Sequence, residues 1–414
     1  MAKILAYTSP ATGHAYPAAA VLDQLRTRGH QVILRTLSSQ VPVLRDHGFD
    51  AEPINPAIEA MALQDWRART QHGALKSSVA TFVARAGIDG PDLTDAIAAH
   101  KPDAVLVDVN SWGALAAAEH WGGQWATFCP YPLAMSSVDT PPFGLGLPPA
   151  GGPLGRTRDR ALRPIVYAML NKAMLPGVNT VRAHYGLAPL RHLDEQFTRP
   201  PLLIYMTAEP FEYPRGAWPA NLIAVGPCEW EPTSDVPDGL RDSRLVVVTS
   251  SSEFQKDDGL LRITAAALAD EEVTVVLTAP AHGQLGDFPE NVVSMQFAPH
   301  GPLLDKAVCA ITHAGMGATQ KALARGVPVV AVPFGRDQFE VARRVEVAGA
   351  GVRLPRRRLN ERNVRSAVNQ ARAMTTGAQE VAEGFARAGG AQAAAAAMET
   401  RLLGHASPLD AARP

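Results

Sequence analysis

Short apolar runs alternate with a helix-like segment near the start of the chain. Residues 3–8 form the first run, which ends before Pro10, and residues 31–36 form the second. Between them, apolar side chains recur at helical spacing until Gly29, a residue suited to ending a helix. A strand, a helix and a second strand by residue 36 predict a βαβ unit with parallel strands.

The same alternation continues further along the chain. Residues 104–107 predict a buried strand that ends at Asp108. Residues 112–121 predict a helix, and residues 126–129 predict another strand. Because parallel sheets bind ligands at the carboxyl ends of their strands, we expect residues 9–17 and Asp108 at one edge of a ligand site.

A long stretch without a regular pattern follows. Residues 130–153 are rich in proline and glycine, which predicts a long loop, and such loops in compact domains are often functional. Residues 160–185 predict a helix that is interrupted at Pro164 and Pro176, because proline lacks the N–H group that helical hydrogen bonds need.

A second α/β half comes after a segment of mixed proline, glycine and polar residues that is typical of a linker. Residues 245–248 and 273–277 predict strands on either side of a helix at residues 260–268. Further strands are predicted at residues 310–312 and 327–332, and the alanine-rich end predicts a last helix. The predicted organisation is an N-terminal domain at residues 1–225, a linker at 226–239, a C-terminal domain at 240–390 and a final helix at 391–414 that returns to the N-terminal domain.

Composition narrows the class of partners. The 414 residues include 39 lysines and arginines against 40 aspartates and glutamates, and a net charge of -1 argues against nucleic acid as a partner. No stretch approaches the roughly 20 apolar residues of a membrane span. The three cysteines are widely spaced, which favours free thiols in a reducing compartment. We expect a cytoplasmic protein without a membrane anchor or a metal site. The sequence leaves open whether the protein forms a homodimer.

A glycine-containing loop carries the clearest signal for a ligand. Residues 313–317, His-Ala-Gly-Met-Gly, stand between a predicted strand and a predicted helix. Small residues at the start of a helix let backbone N–H groups approach an anion, which the helix dipole also favours. With His313 as a further donor, the loop fits a nucleoside diphosphate; a glycine turn that only packs the helix on the strand is the alternative. The usual dinucleotide and P-loop signatures are absent.

A second polar loop follows the predicted strand at residues 327–332. Its residues Asp337 and Gln338 offer acceptors and donors that suit sugar hydroxyls. A turn followed by a helix N-cap is the alternative interpretation of the same two residues.

In the first half, His14 follows the first predicted strand, and Asp108 ends another strand of the same sheet. Both side chains can therefore reach the same sheet edge. A carboxylate that holds one histidine nitrogen fixes the tautomer and stabilises the imidazolium, which is the arrangement of a general base. Taken singly, each residue could instead cap a helix or make a structural hydrogen bond.

Together these motifs resemble the GT-B glycosyltransferases of family 1, especially the bacterial enzymes that glycosylate macrolides, enediynes and other natural products. The resemblance runs through most of the chain, and motifs in both halves support it in the right order. The matching segments are residues 13–14, Asp108, and residues 297–300, 313–317, 337–338 and 349–352.

The resemblance implies two Rossmann-like domains facing across a cleft, with the acceptor bound by the first and an NDP-sugar (UDP- or dTDP-linked) by the second. His14 would deprotonate a hydroxyl of a hydrophobic small molecule, Asp108 would orient His14, and the anomeric carbon would be inverted. No cofactor or metal is implied, because the NDP-sugar is a co-substrate and the helix terminus stabilises the leaving charge. The implied donor-binding residues are Ser252, Phe297, His300, His313, Gly315, Gly317, Ala318, Thr319, Asp337 and Gln338.

Four positions depart from the residues that are common in the family. Ala314 and Ser251 stand where glycine is frequent, and His300 where glutamine is frequent. Lys321 replaces a glutamate that binds ribose in many members. The choice between a uridine and a thymidine donor therefore stays open.

The acceptor side is defined only by apolar residues in loops or at strand ends. They could line a pocket for a bulky aglycone, and any one of them could equally belong to the core. An epimerase of sugar nucleotides, a lipid glycosyltransferase and a non-catalytic nucleotide-sugar-binding partner remain alternative functions. The candidate acceptor-binding residues are Trp66, Trp112, Tyr131, Met135, Pro141, Pro142, Phe143 and Leu145.

Overall fold

Parallel strands form two sheets, one in each half of the chain. The computed structural model describes residues 1–404 apart from 234, 235, 237, 241–243, 252–254, 256 and 279–286. The first sheet contains β1 (Lys3–Tyr7), β2 (Gln31–Thr36), β3 (Asp50–Pro53), β4 (Ala104–Asp108), β5 (Gln124–Cys129), β6 (Leu202–Tyr205) and β7 (Leu222–Ala224). The second sheet contains β8 (Leu245–Thr249), β9 (Thr274–Thr278), β10 (Val292–Met295), β11 (Ala307–Thr312), β12 (Val329–Ala331) and β13 (Gly351–Arg353).

The strand order places a crevice at the middle of each sheet. The first sheet has the order β3-β2-β1-β4-β5-β6-β7, and the second has the order β10-β9-β8-β11-β12-β13. The order changes direction between β1 and β4 in one sheet and between β8 and β11 in the other. Open parallel sheets bind ligands outside the carboxyl ends of such strands. The prediction of two Rossmann-like α/β units is confirmed.

Helices accompany each sheet. The first half contains α1 (Thr12–Thr27), α2 (Val41–Asp46), α3 (Pro56–Glu59), α4 (Gln71–His100), α5 (Trp112–Trp121), α6 (Pro153–His184) and α7 (Glu195–Thr198). The rest of the described chain contains α8 (Asp258–Ala267), α9 (His300–Leu304), α10 (Met316–Leu323), α11 (Gln338–Val347), α12 (Glu361–Arg372), α13 (Thr375–Ala388) and α14 (Gly390–Arg401).

Both faces of the first sheet are buried, which explains why its strands are apolar throughout. Alternate residues of a strand point to opposite faces. Ile4 and Ala6 of β1 pack on the side of α1 and α14. Leu5 and Tyr7 pack on the other side, against α4 and α5.

The predicted interruption of the helix at residues 160–185 is wrong. Helix α6 is continuous from Pro153 to His184 and contains Pro164 and Pro176 in its interior. Its residues Val166, Leu170, Val178 and Val181 are buried. Each buried aliphatic side chain contributes about 1.5–3 kcal/mol, so together they offset a cost of about 3 kcal/mol per internal proline.

The last helix lies against the first half of the chain. Helix α14 packs on α1, and Glu399 accepts a hydrogen bond of 2.6 Å from Arg28. The second oxygen of Glu399 lies 3.0 Å from His30 Nε2. The end of the described chain is therefore fastened close to its beginning.

Candidate active site

A cleft of about 520 Å³ lies between the carboxyl ends of the two sheets. Ser9 and Asn110, in the loops after β1 and β4, line it from the first half. Thr249 and His313, at or after the ends of β8 and β11, line it from the second half. The two points at which strand order reverses thus open onto one shared cavity, the usual position of a ligand site.

His14 and Asp108 meet at the first-half wall of this cleft. His14 lies in the first turn of α1 and lines the cleft, whereas Asp108 is fully buried behind it. The Nδ1 atom of His14 is 2.9 Å from the Asp108 carboxylate. The carboxylate also accepts hydrogen bonds from the backbone N–H groups of Ser9 (2.8 Å) and Asn110 (3.0 Å).

These contacts keep the carboxylate of Asp108 ionised. Burial by itself raises its pKa, but His14 and the N–H donors outweigh burial, so that the pKa lies below its ordinary value. An ionised carboxylate only accepts hydrogen bonds, so in the neutral form of His14 Nδ1 carries the proton and Nε2 the lone pair. This tautomer can take a proton from a bound hydroxyl.

Across the cleft, the start of α10 forms a small-residue terminus. Its N-cap is Gly315, and the preceding Ala314 has φ of 63°, in the left-handed region that favours glycine. A Cβ atom added to Gly315 would lie 2.2 Å from Nε2 of His313, whereas one added to Gly317 would meet no atom within 4 Å. Gly315 therefore makes room for the His313 ring, and the open space beside Gly317 leaves its backbone accessible.

His313 is a buried imidazole at the edge of the same terminus. Burial lowers its pKa, and nearby Arg336 adds to this, while Asp257 and the backbone of Thr249 oppose it. The net shift is downward, so the ring is neutral near pH 7 and offers one N–H donor.

The loop before α11 brings Asp337 and Gln338 to the cleft. Gln338 is engaged within the protein: its Oε1 accepts from the N–H groups of Phe334 (2.7 Å) and Gly335 (3.0 Å). Its Nε2 donates to Gln255 (2.7 Å), a residue that also lines the cleft. Gln338 therefore shapes this loop. Burial raises the pKa of Asp337 above its ordinary value, although Arg336 and His14 act against this.

Phe297 and His300 also line the cleft from the second half. Phe297 is half exposed and lines the cavity, and Nε2 of His300 lies 3.0 Å from the Thr278 hydroxyl. Lys321 is paired with Glu231 at 2.8 Å. Glu231 also accepts from the N–H groups of His300 (3.2 Å) and Gly301 (2.7 Å), so this carboxylate caps α9.

The structure brings most of the predicted catalytic and donor-binding residues together. Thr319 is buried beneath the terminus of α10, with its hydroxyl 3.2 Å from that of Thr312, and does not line the cleft. Ser252 lies outside the described residues. The predicted residues that line the cleft are His14, Tyr131, Phe297, His300, His313, Gly315, Gly317, Ala318, Asp337 and Gln338.

Of the eight candidate acceptor-binding residues, Tyr131 alone lines the cleft within the described part of the chain. Its hydroxyl donates to Asn110 (2.8 Å), and its ring lies 5.8 Å from that of His14. Trp112 is buried against Phe82, and Met135 and Phe143 pack in a core cluster. Trp66 is half-buried beneath the Arg67 guanidinium. Apolar character in a loop did not distinguish the cavity wall from the core behind it.

Several cleft residues were not singled out from the sequence. Tyr16 donates to Gln40 at 2.8 Å, and both line the cavity, as do Arg85 and Arg336. Arg336 directly precedes Asp337, so its position next to a predicted donor-binding residue could have identified it as a cleft residue. Arg85 lies in α4, a helix that no pattern had predicted.

Known proteins share both the sequence and the fold. Residues 261–398 match the family described as erythromycin biosynthesis protein CIII-like, C-terminal domain. The chain is 32% identical over 382 residues to 4'-demethylrebeccamycin synthase of Lentzea aerocolonigenes, which covers 89% of this chain and 91% of that protein.

Two solved structures show the same architecture. The calicheamicin glycosyltransferase CalG4 has a TM-score of 0.73 and 21% identity, covering 99% of this chain and 100% of that one. The Streptomyces sp. SF2575 glycosyltransferase SsfS6, complexed with thymidine diphosphate, has a TM-score of 0.68 and 18% identity, covering 95% and 99%.

The two facing sheets therefore form the GT-B fold of glycosyltransferases. The chain belongs to the GT-B glycosyltransferases of natural-product biosynthesis, and the resemblance found in its motifs is confirmed. None of the helices in the described ranges has the length and hydropathy that crossing a bilayer needs. Among the same residues, no cluster of three or more His, Cys, Asp or Glu side chains suits a metal ion.

Proposed function

We propose that this glycosyltransferase moves a sugar from a UDP- or dTDP-sugar to a hydroxyl of a hydrophobic small molecule, with inversion at the anomeric carbon. The acceptor would occupy the first-half side of the cleft and the donor the second-half side. The observation that carries the proposal is the pairing of His14 with Asp108, 2.9 Å apart, on the wall opposite His313 and the start of α10.

In the proposed reaction, Nε2 of His14 takes the proton of the acceptor hydroxyl. The acceptor oxygen then forms a bond to the anomeric carbon as the bond from that carbon to the diphosphate oxygen breaks, and the diphosphate leaves with the electron pair. Asp108 stabilises the imidazolium that forms, because its carboxylate is ionised and held by two backbone N–H groups. Attack from the side opposite the leaving group inverts the configuration.

The leaving diphosphate would be stabilised by α10 and His313. The first N–H groups of a helix have no partner within the helix, and the helix dipole favours an anion there. The space beside Gly317 lets the phosphate oxygens approach these groups. Because its pKa is lowered, His313 is a weak proton acceptor and adds a hydrogen-bond donor for the phosphate oxygens.

A pyrimidine nucleoside would occupy the end of the cleft near Phe297 and His300. Phe297 offers a half-exposed ring for stacking on a base. The related fold of SsfS6 was solved with thymidine diphosphate, which supports dTDP-sugars as one donor class to test. The ion pair between Lys321 and Glu231 supplies charged groups near the expected ribose position.

The test is an assay of the purified protein with UDP-glucose and dTDP-glucose and a panel of hydrophobic phenols and alcohols that includes 4-methylumbelliferone. We expect a new glycoside whose anomeric configuration, read from the proton coupling constant, is opposite to that of the donor. A retained configuration would overturn the inverting mechanism. Donor isomerisation without acceptor would indicate an epimerase, and nucleotide binding without turnover across the panel would indicate a non-catalytic partner.

A further inference from the structure

Asp65 and Arg336 form a bidentate ion pair that connects the two halves of the chain. Nε of Arg336 lies 2.8 Å from one carboxylate oxygen of Asp65, and Nη2 lies 2.8 Å from the other. The two residues are 271 positions apart in sequence and belong to different halves of the chain. Asp65 is buried, so this parallel pairing is held in a poorly hydrated setting where it is strong and directional.

The pair joins the loop that precedes α11 to a short segment of the first half. Arg336 lines the cleft and stands next to Asp337. Asp65 begins a turn of 3-10 helix, Asp65–Arg67, and the nearby Leu63 lines the cleft. We refer to residues 61–67 as the cover segment.

The cover segment is fastened at both ends. At one end, the backbone carbonyl of Met61 accepts hydrogen bonds from Nε and Nη2 of Arg85, on α4 of the same half. At the other end, Asp65 is held by Arg336 from the opposite half. Between these anchors, Leu63 lines the cavity, as do Arg85 and His14.

The backbone at Arg336 indicates that its side chain is needed. Its φ is 53°, a left-handed conformation that costs a non-glycine residue about 1–2 kcal/mol. A glycine would adopt this conformation without strain, but it could not reach Asp65. Strained non-glycine residues persist where surrounding contacts over-determine them, and they cluster at functional sites.

We infer that the Asp65–Arg336 pair positions the cover segment over the reacting end of the cleft, so that an acceptor rather than water reaches the donor sugar. This inference rests on the proposed transfer function. Asp65 acts through Arg336 and the cover segment, and is therefore a positioning residue. Loosening the pair should favour hydrolysis of the donor over transfer and weaken acceptor binding, with a smaller effect on nucleotide binding.

Asp65→Asn is the main test variant, because it keeps the shape of the side chain and removes its charge. Glu399→Gln is the matched control, since Glu399 also holds an arginine from a distant part of the chain but does not line the cleft. With UDP- or dTDP-glucose and 4-methylumbelliferone, we expect Asp65→Asn to raise the ratio of free glucose to glycoside about tenfold, a change that a 1.4 kcal/mol loss produces. The acceptor KM should rise, and Glu399→Gln should leave both quantities unchanged.

Hydrogen–deuterium exchange gives a second readout that needs no turnover. We expect the amides of residues 61–67 to exchange about tenfold faster in Asp65→Asn and in Arg336→Lys, because the bidentate pairing is lost in both. Exchange in α14 should change in Glu399→Gln only. Unchanged exchange in the cover segment, or an unchanged ratio of hydrolysis to transfer in an active enzyme, would overturn the inference.

The two proposals fail in different ways. If the wild-type protein forms no glycoside with any donor and acceptor pair, the proposed function fails, while the exchange experiment still decides whether Arg336 holds the cover segment. If the wild-type protein transfers sugar and the variants behave like Glu399→Gln, the proposed function stands and the role of Asp65 is refuted.

Discussion

His14 and Asp108 are 94 residues apart in sequence and 2.9 Å apart in the structure. Each is placed by its own sheet strand: His14 follows β1, and Asp108 is the last residue of β4. Because β1 and β4 are adjacent and parallel, their carboxyl ends meet. The pair thus lies where the strand order of the first sheet reverses.

Replacing His14 should abolish most of the transfer. We expect His14→Ala to lower kcat by about 10²–10⁴-fold, the usual contribution of a general base, and Asp108→Asn to lower it within the same range because the wrong tautomer is favoured. Nucleotide affinity, measured by calorimetry, should stay unchanged. The control is His72→Ala, which alters an exposed histidine of α4. Transfer at the wild-type rate in His14→Ala would refute the mechanism.

Two glycines of the α10 terminus should respond differently to a methyl group. Gly317→Ala adds a Cβ to open space within a helix, so the protein should fold with equal stability or gain about 0.5–1 kcal/mol. The methyl group would stand in the proposed phosphate site, and affinity for UDP and dTDP should fall at least about tenfold, by roughly 1.4 kcal/mol.

Gly315→Ala is the matched comparison. Its Cβ would lie 2.2 Å from Nε2 of His313, so the imidazole must move and the protein should lose stability as well as nucleotide affinity. Thermal unfolding and calorimetry on both variants provide the measurement. Wild-type nucleotide affinity in Gly317→Ala would place the diphosphate elsewhere.

The stability of the protein should fall in mild acid because of His300. Burial, together with Lys321 and Arg325, lowers its pKa to about 4, against the partial opposing effect of Glu231. In the unfolded chain the pKa of His300 is about 6.5. Between about pH 6.5 and pH 4 the unfolded chain therefore binds a proton at His300 while the folded protein does not, so unfolding becomes easier as pH falls. This group alone should remove about 2 kcal/mol between pH 7 and pH 5.

His300→Gln removes this titration and can still hydrogen-bond to Thr278. Urea denaturation at pH 7 and pH 5 should therefore show a smaller loss of unfolding free energy in the variant, by about 2 kcal/mol. An equal loss in the two proteins would show that His300 is not the group responsible.

A buried charge cluster that joins the two halves of the chain should be essential to the stability of the protein. Arg344 donates to Glu212 at 2.8 Å and to Glu340 at 3.0 Å, and all three side chains are buried. Arg344→Met would leave two carboxylates without their partner, which should cost about 3–5 kcal/mol in urea denaturation. Arg387→Met, which breaks the exposed pair with Glu383, is the control and should change little.

Local sequence pattern was sufficient to predict many of the strands and helices. The strands at residues 31–36 and 104–108 and helix α5 agree closely with the sequence patterns, because short apolar runs and helical spacing report burial directly. The continuity of α6 could not be predicted from local pattern. The two internal prolines are visible in the sequence, whereas the packing that offsets their cost depends on residues far away in the chain.

The sequence by itself determined the two α/β halves, the family, and the fact that His14 and His313 each follow a sheet strand, because strand periodicity and motif order can be read from neighbouring residues. Only the tertiary structure decided that Trp112 is a core residue and that Asp65 meets Arg336 across the cleft. The physical reason is that burial and long-range ion pairs depend on which surfaces pack together. Local sequence pattern carries no information about a contact between Asp65 and Arg336, which are 271 residues apart.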